Sequence, residues 1–503
     1  MAFVQNVPFF SIMLSMFSGI VSSILPGKAA KRLNTAVILV IGAASAWLLS
    51  WLMRTGGSFT FMMGHFPAPW GNEIRAGALE AGMALFFCVI MLLSMLGGRK
   101  KLFDEVEVTK HNIYYILTDL LLSSLLALVY TNDLFTAYVF VEINTIAACG
   151  LIMIRQNGRT IEAAVRYMIM SLLGSGLLLM GICMLYDLTG HLLMSNIKES
   201  VAAIMAAGTY QIPLTITIGL VTVGLAIKSA LFPFHAWLPD AYGYSTVSSA
   251  AMLSSLVSKG YIFLLIKIFY RVVGFEIIVG SKIPNVLFLF GLSGMIFGSI
   301  SAIWEKDIRR MIAFSSVAQI GYIYMGFGLG TTEGMVASIF HILAHAATKS
   351  LLFVSAIGLT DVSAGSRNFF DLTGSAYRNK VAGVGFSVGA MSMVGIPLFS
   401  GFVSKLLFAE AAVMHPTHKM MPTLIVLAVS TILNAIYFLK TVVRIYVPEK
   451  REVEAEKGYF TMKAGQQRLY TITIILFILI NLVLGMMSEP IIGIIETGLI
   501  HFI

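Results

Sequence analysis

Residues 212–240 read IPLTITIGLVTVGLAIKSALFPFHAWLPD. The first part is an apolar run of the length needed to cross a bilayer, about 20 residues. Lys228 interrupts it, and Pro233 and Pro239 follow. Proline removes a backbone donor and clashes with the preceding turn, so the helix must break here. Broken backbone at membrane depth is tolerated only where protein or a water-filled cavity receives it. This one stretch therefore predicts a discontinuous membrane helix with a lysine at its break.

The rest of the 503 residues agrees with that reading, with 58% hydrophobic and only 12% charged residues. Soluble chains average about 25% charged. The apolar runs are long and continuous, so they predict helices and not barrel strands. The expected spans are 7–25, 33–53, 79–97, 113–130, 133–153, 163–186, 212–231, 246–272, 285–304, 308–330, 334–358, 381–414, 422–444 and 469–488. The fold class is thus an all-α polytopic membrane protein of about fourteen transmembrane helices. The run 381–414 is too long for one plain crossing, and Gly395-Ile396-Pro397 makes it the second broken helix. Segment 191–207 is too polar to span and is expected to form an interfacial or extramembrane helix. The run 7–25 lacks a basic leader and a cleavage site, which favours a first span over a signal peptide.

Basic residues divide unequally between alternate loops, about 21 on one side and about six on the other, Arg271 among those six. The positive-inside rule places the richer set in the cytoplasm. An even number of spans then puts both termini outside. The net charge of +9 is accounted for by these loops, and no basic stripe or tail suggests nucleic acid. The polar stretch 448–468 reads as a cytoplasmic loop. Cys88, Cys149 and Cys183 each stand alone in an apolar run. No pair has metal-ligand or redox spacing, so they read as packing residues, with no metal or other cofactor expected in this chain.

Several charged residues fall inside the spans. They are Glu142, Lys228, Lys259, Lys349 and Lys405, joined by His341 and His345. A charge at a helix centre costs about 2.5–3.5 kcal/mol even on a lenient insertion scale, and such residues usually mark an ion path. Steps of four keep His341, His345 and Lys349 on one helix face. Arg166, Lys267 and Lys440 lie near span ends, where snorkelling to the interface is ordinary. Lysine suits proton transfer, because burial disfavours the charged form and an approaching carboxylate restores it. Glu142 and Lys228 are the natural pair. At an effective dielectric near 20 and about 4 Å, opposite charges attract by roughly 4 kcal/mol. A membrane potential supplies about 2.3 kcal/mol per charge for each 100 mV. Such a pair can gate a proton and still be broken by coupling. Lysine and histidine make poor sodium ligands, which favours protons as the carried ion.

At these residues the sequence resembles a known family. The run Asn132-Asp133-Leu134-Phe135-Thr136-Ala137-Tyr138-Val139-Phe140-Val141-Glu142 is similar to the fifth-helix motif of antiporter-like subunits. These occur in complex I (chains M and N), in Mrp-type sodium/proton antiporters (the D-type chain) and in membrane-bound nickel–iron hydrogenases. Residues Ala226 to Ala241 resemble the family's broken seventh helix. His341 through Lys349, Gln319-Ile320-Gly321-Tyr322, and Gly395-Ile396-Pro397 with Gly401-Phe402-Val403-Ser404-Lys405 resemble its later signatures. The resemblance spans about 113–447.

That resemblance implies two inverted five-helix repeats, 113–272 and 285–447, after three helices in 1–112 and before a loop and helix 14 in 448–503. The faint echo of Lys228-Ser-Ala-Leu-Phe232 in Lys349-Ser-Leu-Leu-Phe353 points the same way. It also implies that Glu142 pairs with Lys228, that Lys259 relays protons, that His341, His345 and Lys349 join the halves, and that Lys405 ends the path. His235 and Asp240 are candidates for access or loop roles. Partners would be further membrane subunits and, in redox-linked members, a peripheral redox arm holding the redox centres. Lysine at 405 resembles the Mrp and hydrogenase members, because chain M has glutamate there. Phe234 to Asp240 is closer to the redox-linked members than to Mrp. The few residues after the last span argue against the chain L type.

The expected function is therefore proton translocation by an antiporter-like subunit of a redox-driven respiratory or hydrogenase-type complex in the inner (plasma) membrane. The alternative is the D-type chain of an Mrp-type antiporter, carrying sodium as well and using no redox chemistry. An organic-solute permease would need a substrate pocket, and a purely structural anchor would need its buried charges to be inert.

Overall fold

A computed structural model describes residues 3–63, 66, 71–448 and 464–502. The first helices are α1 (Val7–Ile24), α2 (Gly27–Thr55), α3 (Ala78–Gly97), α4 (Arg99–Glu105) and α5 (His111–Tyr130). Next come α6 (Leu134–Met153), α7 (Gly158–Thr189), α8 (Met194–Ala207), α9 (Gln211–Lys228) and α10 (Leu238–Tyr244). The eighth crossing contains α11 (Val247–Met252) and α12 (Ser258–Ile268), followed by the short α13 (Phe275–Gly280). Then follow α14 (Ile283–Trp304), α15 (Ile308–Leu329), α16 (Thr332–Asp361) and α17 (Ser375–Arg378). The chain finishes with α18 (Lys380–Val394), α19 (Ser400–Met414), α20 (Met420–Tyr446), α21 (Ala464–Met486) and α22 (Ser488–Ile500).

Among the described residues, 13 helices are long and apolar enough to cross a membrane. The remaining crossing is the broken pair α18 and α19. Its start sits beside the end of α16, where Asn379 Nδ2 donates to Gly358 O at 3.3 Å. Its far end reaches the opposite face, where Lys419 Nζ donates to Gly328 O at 2.6 Å. The fourteen expected crossings are therefore all present. The expected loop at 448–468 lies mostly outside the described residues. The α8 helix is amphipathic and buries only Met194, Ile197 and Val201, as an interfacial helix should.

One departure from an all-α chain is an antiparallel hairpin, β1 (Phe59–Met62) with β2 (Glu73–Ala76). Alternating exposure along β1 gives it strand character, which a search for long apolar runs cannot see. Another departure concerns Cys183, which is exposed on the outer surface of the bundle, whereas Cys88 and Cys149 are packed inside.

Burial is graded across the bundle. The eighth crossing (Val247–Val273) and α16 are 100% buried over their apolar windows, and α15 is 89% buried, whereas α2, α20 and the last span are 33% buried. Two helices thus run through the protein interior while others face outward. Polar side chains on α12 and α16 consequently meet protein and not lipid.

Close approach between helices needs residues without a Cβ. Gly174 on α7 and Gly224 on α9 face each other; a Cβ on Gly174 would stand 2.8 Å from Gly224 O. Their contact brings the end of α9, with Lys228, against α6 and α7.

Candidate functional site

Helix α9 stops at Lys228, and the chain turns through residues 229–237 before α10. The break leaves Lys228 buried in the bundle, 3.6 Å from Glu142 Oε1 on α6. Its ammonium also donates to Thr145 Oγ1 at 2.7 Å and lies 5.4 Å from the centre of the Tyr261 ring. Ser175 on α7 donates to Glu142. Thr145 Oγ1 is 3.3 Å from Tyr261 OH, which donates to Asn144 Oδ1 at 3.0 Å. The ion pair is thus embedded in hydroxyls that can accept or pass a proton.

Tyr261 leads to α12, where Lys259 is fully buried. A π-helical turn at Leu253–Val257 precedes it. Such a turn disturbs the regular carbonyl ladder, and Lys259 Nζ donates to Ser254 O within it. Beside it, Ser255 Oγ and Ser350 Oγ are 2.7 Å apart, joining the eighth crossing to α16.

On α16, Lys349 donates to Ile312 O at 2.8 Å and to Ser315 Oγ, both on α15. One turn earlier, His345 has no protein partner on either ring nitrogen, and neither does His341 Nε2. The two imidazoles stack at 5.9 Å with 8° between planes. His341 Nδ1 is 2.6 Å from Ser404 Oγ. A cavity of about 10 Å³ lies among Gln319, His341, His345, Ser392 and Lys405, room for about one water. Buried polar atoms are nearly always satisfied, so this cavity and the free imidazole nitrogens identify a place for water between the histidines and Lys405.

Lys405 sits at the start of α19, directly after the second break. It donates to Val394 O at 2.7 Å and to Thr431 Oγ1 at 3.0 Å. Gly395 terminates α18 with φ +90°, and a Cβ there would be 2.9 Å from Lys405 Cδ. Glycine is required both for the backbone turn and for the lysine stem. Tyr322 bridges back, stacking on His341 at 5.4 Å and lying 5.8 Å from Lys405 Nζ.

The structure pairs Glu142 with Lys228 and gathers His341, His345 and Lys405 around one cavity, while Lys259 and Lys349 are fully buried on the eighth crossing and α16. The two access candidates lie apart from these residues. Asp240 is tied to Arg166 Nη1 at 2.9 Å and to Arg310. His235 stacks on Phe232 at 5.3 Å, and its Nδ1 has no protein partner.

Two expectations about basic residues are corrected. Lys267 does not snorkel to the interface; it is 0% exposed. It donates to the carbonyls of Leu128, Val129 and Thr131 at the end of α5, capping a helix C-terminus with a cation. Arg271, counted among the loop cations, is buried against Glu80, with Phe502 3.9 Å from its guanidinium. Near it on α8, Lys198 is held below the ordinary lysine range by burial and then by Arg75 and Arg271. Arg166 and Lys440 are exposed, as span-end residues should be.

Sequence reasoning missed two buried carboxylates inside expected spans, Glu80 and Asp119. The available signal was the one used for Glu142, an acidic residue within an expected span. The hydroxyl partners Thr145, Ser315, Ser404 and Tyr261 left no such signal, because serine, threonine and tyrosine are common in membrane helices.

Comparison with known proteins agrees with this architecture. The family model described as NADH:quinone oxidoreductase/Mrp antiporter, TM, matches residues 131–433. NADH-quinone oxidoreductase subunit N of Desulforudis audaxviator is 31% identical over 414 residues, 82% of this chain and 80% of that protein. The D-type chain of the Na(+)/H(+) antiporter of Alkalihalophilus pseudofirmus is 24% identical, covering 85% of this chain and 83% of that one. A chain of the Mrp complex from Dietzia sp. superposes with a TM-score of 0.86 at 23% identity, over 99% of this chain and 97% of that one. A chain of an archaeal membrane-bound sulfane sulfur reductase superposes with a TM-score of 0.85 at 24% identity, with the same coverage. The chain is a polytopic, antiporter-like membrane subunit, and it belongs to the NADH:quinone oxidoreductase/Mrp antiporter transmembrane family.

Proposed function

We propose that this chain translocates protons as one subunit of a redox-driven respiratory or hydrogenase-type complex, through the row Glu142, Lys228, Lys259, Lys349, His345, His341 and Lys405. The observation that supports the reading is the 3.6 Å Glu142–Lys228 pair at the first break, with Lys405 at the second break and Lys259, His341, His345 and Lys349 buried on the two fully buried crossings. Each lysine has an oxygen within hydrogen-bond reach that accepts from its ammonium. Separating Glu142 from Lys228 makes proton release easier, and re-pairing makes loading easier.

In this reading the two halves, 113–272 and 285–447, are inverted repeats, each with one broken helix, as in many transporters. The basic loops face the cytoplasm and both termini lie outside it. The protein works in the plasma membrane with further membrane subunits, and a peripheral arm supplies the redox energy. The test is proton uptake into inverted vesicles holding the assembled complex. Lys228→Ala and Glu142→Gln should each abolish most of the uptake while the complex still assembles. Unchanged uptake in both would leave the row as a structural anchor.

A second reading is supported by the similarity to the D-type chain of an Na(+)/H(+) antiporter and by lysine at 405. It is sodium/proton exchange without redox chemistry. Exchange driven by an imposed sodium gradient, without any redox substrate, would favour it over the first.

A further inference from the structure

Asp119 takes no part in the row. It lies on α5, where α1 and α2 pack against that helix, and it is 0% exposed. Among the described residues no basic side chain pairs with it. Asn34 Nδ2 on α2 donates to Asp119 Oδ1 at 2.6 Å. Ser18 Oγ on α1 donates to Oδ2 at 2.8 Å. Ser15 Oγ, one turn earlier, donates to the Asp119 backbone oxygen at 2.8 Å. The Ser22 hydroxyl faces the same carboxylate.

These residues share one depth. Ser18 is six residues from the end of α1, Asn34 seven from the start of α2, and Asp119 eight from the start of α5. At about 1.5 Å per residue, all lie roughly 9–12 Å inside the helix ends on the basic-loop face. A carboxylate buried there must be neutralised. The groups that reach it are donors, the pattern suited to its ionised, acceptor-only form. Two oxygens make no hydrogen bond of ordinary geometry, Asn34 Oδ1 and Ser22 Oγ, the second of which reaches only toward the same carboxylate, and both residues are 0% exposed. Serine hydroxyls can donate to the carboxylate and still turn a lone pair to a cation.

The ligand set is hard oxygen only, which suits alkali or alkaline-earth ions over softer metals. One carboxylate with neutral oxygens balances one positive charge; a divalent ion would leave an uncompensated charge in the bundle. We propose that Asp119, Ser18, Ser22 and Asn34 form a sodium-ion site between α1, α2 and α5, separate from the proton row.

The test uses the purified, assembled complex, with sodium, potassium or choline chloride exchanged at constant ionic strength. Binding of radiolabelled sodium and the unfolding temperature are both read. Ser22 is the informative position, because its hydroxyl faces the carboxylate without a hydrogen bond of ordinary geometry, so its removal disturbs the fold least among these residues. Ser22→Ala should keep the wild-type unfolding temperature in choline yet bind sodium about ten-fold more weakly, the scale expected for loss of one supporting ligand. Asp119→Asn should lose both the bound sodium and the sodium-dependent rise in unfolding temperature. The site is refuted if the wild-type complex binds no sodium, the result expected of a protonated Asp119. It is equally refuted if Ser22→Ala binds sodium as the wild type does.

Discussion

Gly174 offers a way to move Lys228 without touching its charge. An alanine Cβ at 174 would stand 2.8 Å from Gly224 O, 3.1 Å from Lys228 Cγ and 3.3 Å from Ile227 Cγ2. Ordinary contact begins near 3.4 Å, so the backbone of α9 must retreat by about 0.6 Å, the difference between 3.4 and 2.8 Å. Overpacking of this kind costs about 1–3 kcal/mol. The lysine stem lies in the same squeeze. A similar retreat takes its 2.7 Å bond to Thr145 to the edge of the useful range, about 3.2 Å. The same shift would carry the 3.6 Å pair with Glu142 beyond contact distance. Gly176 is the internal control, because it lies on the same helix and a Cβ there meets nothing within 4 Å. Gly174→Ala should therefore lower both the unfolding temperature of the complex and the initial rate of proton uptake into vesicles, while Gly176→Ala leaves both unchanged. Equal behaviour of the two variants in both assays would show that close approach of α7 and α9 does not position Lys228.

Two further outcomes follow from the contacts. Lys267→Met keeps the stem but leaves three carbonyls at the end of α5 without their donor; unsatisfied buried groups cost about 1–3 kcal/mol each. The yield of assembled complex should fall, and the uptake rate per assembled complex should stay near wild type, which separates capping from transport. Gly395→Ala meets both a φ of +90° and the Lys405 stem at 2.9 Å; vesicle uptake should fall several-fold even in complexes that assemble.

What was legible in the sequence was set by two kinds of signal. Long apolar runs located the crossings, because lipid forces backbone groups to pair within each helix. Proline and glycine located the breaks, at Pro233 and Gly395, and charges out of place located the row. The hairpin at 59–76 escaped because two short strands carry little periodicity. Lys267 and Arg271 were misread for a different reason. Distance from a span end gives depth along the helix axis, and both residues are deep across it, facing the bundle centre rather than lipid. The missing information is which helices are central. It appears only once packing buries the eighth crossing and α16 completely. Asp119 was within reach of the rule that found Glu142, but its polar partners Ser18 and Asn34 are about a hundred and 85 positions away in the chain.

The row is not uniform, and the difference decides how it can work. Lys228 faces a carboxylate, whereas Lys259, Lys349 and Lys405 are held by carbonyls and hydroxyls. A carbonyl has no charge to change, so it holds a lysine without switching it. Only the Glu142 end of the row can be switched by moving a charge. Beyond it, each lysine must respond to its neighbours in the row. Lys349→Arg tests whether that response is a proton movement. Arginine keeps the positive charge and can still donate to Ile312 O and Ser315, but it does not give up its proton in proteins. If Lys349 serves only as a fixed charge, the variant should pump at a substantial fraction of the wild-type rate once assembled. If it loads and releases a proton, uptake should stop while the complex remains intact, and Lys349→Met should stop it equally. Pumping in the arginine variant would therefore remove Lys349 from the row as a carrier and leave the histidines to connect Lys259 with Lys405.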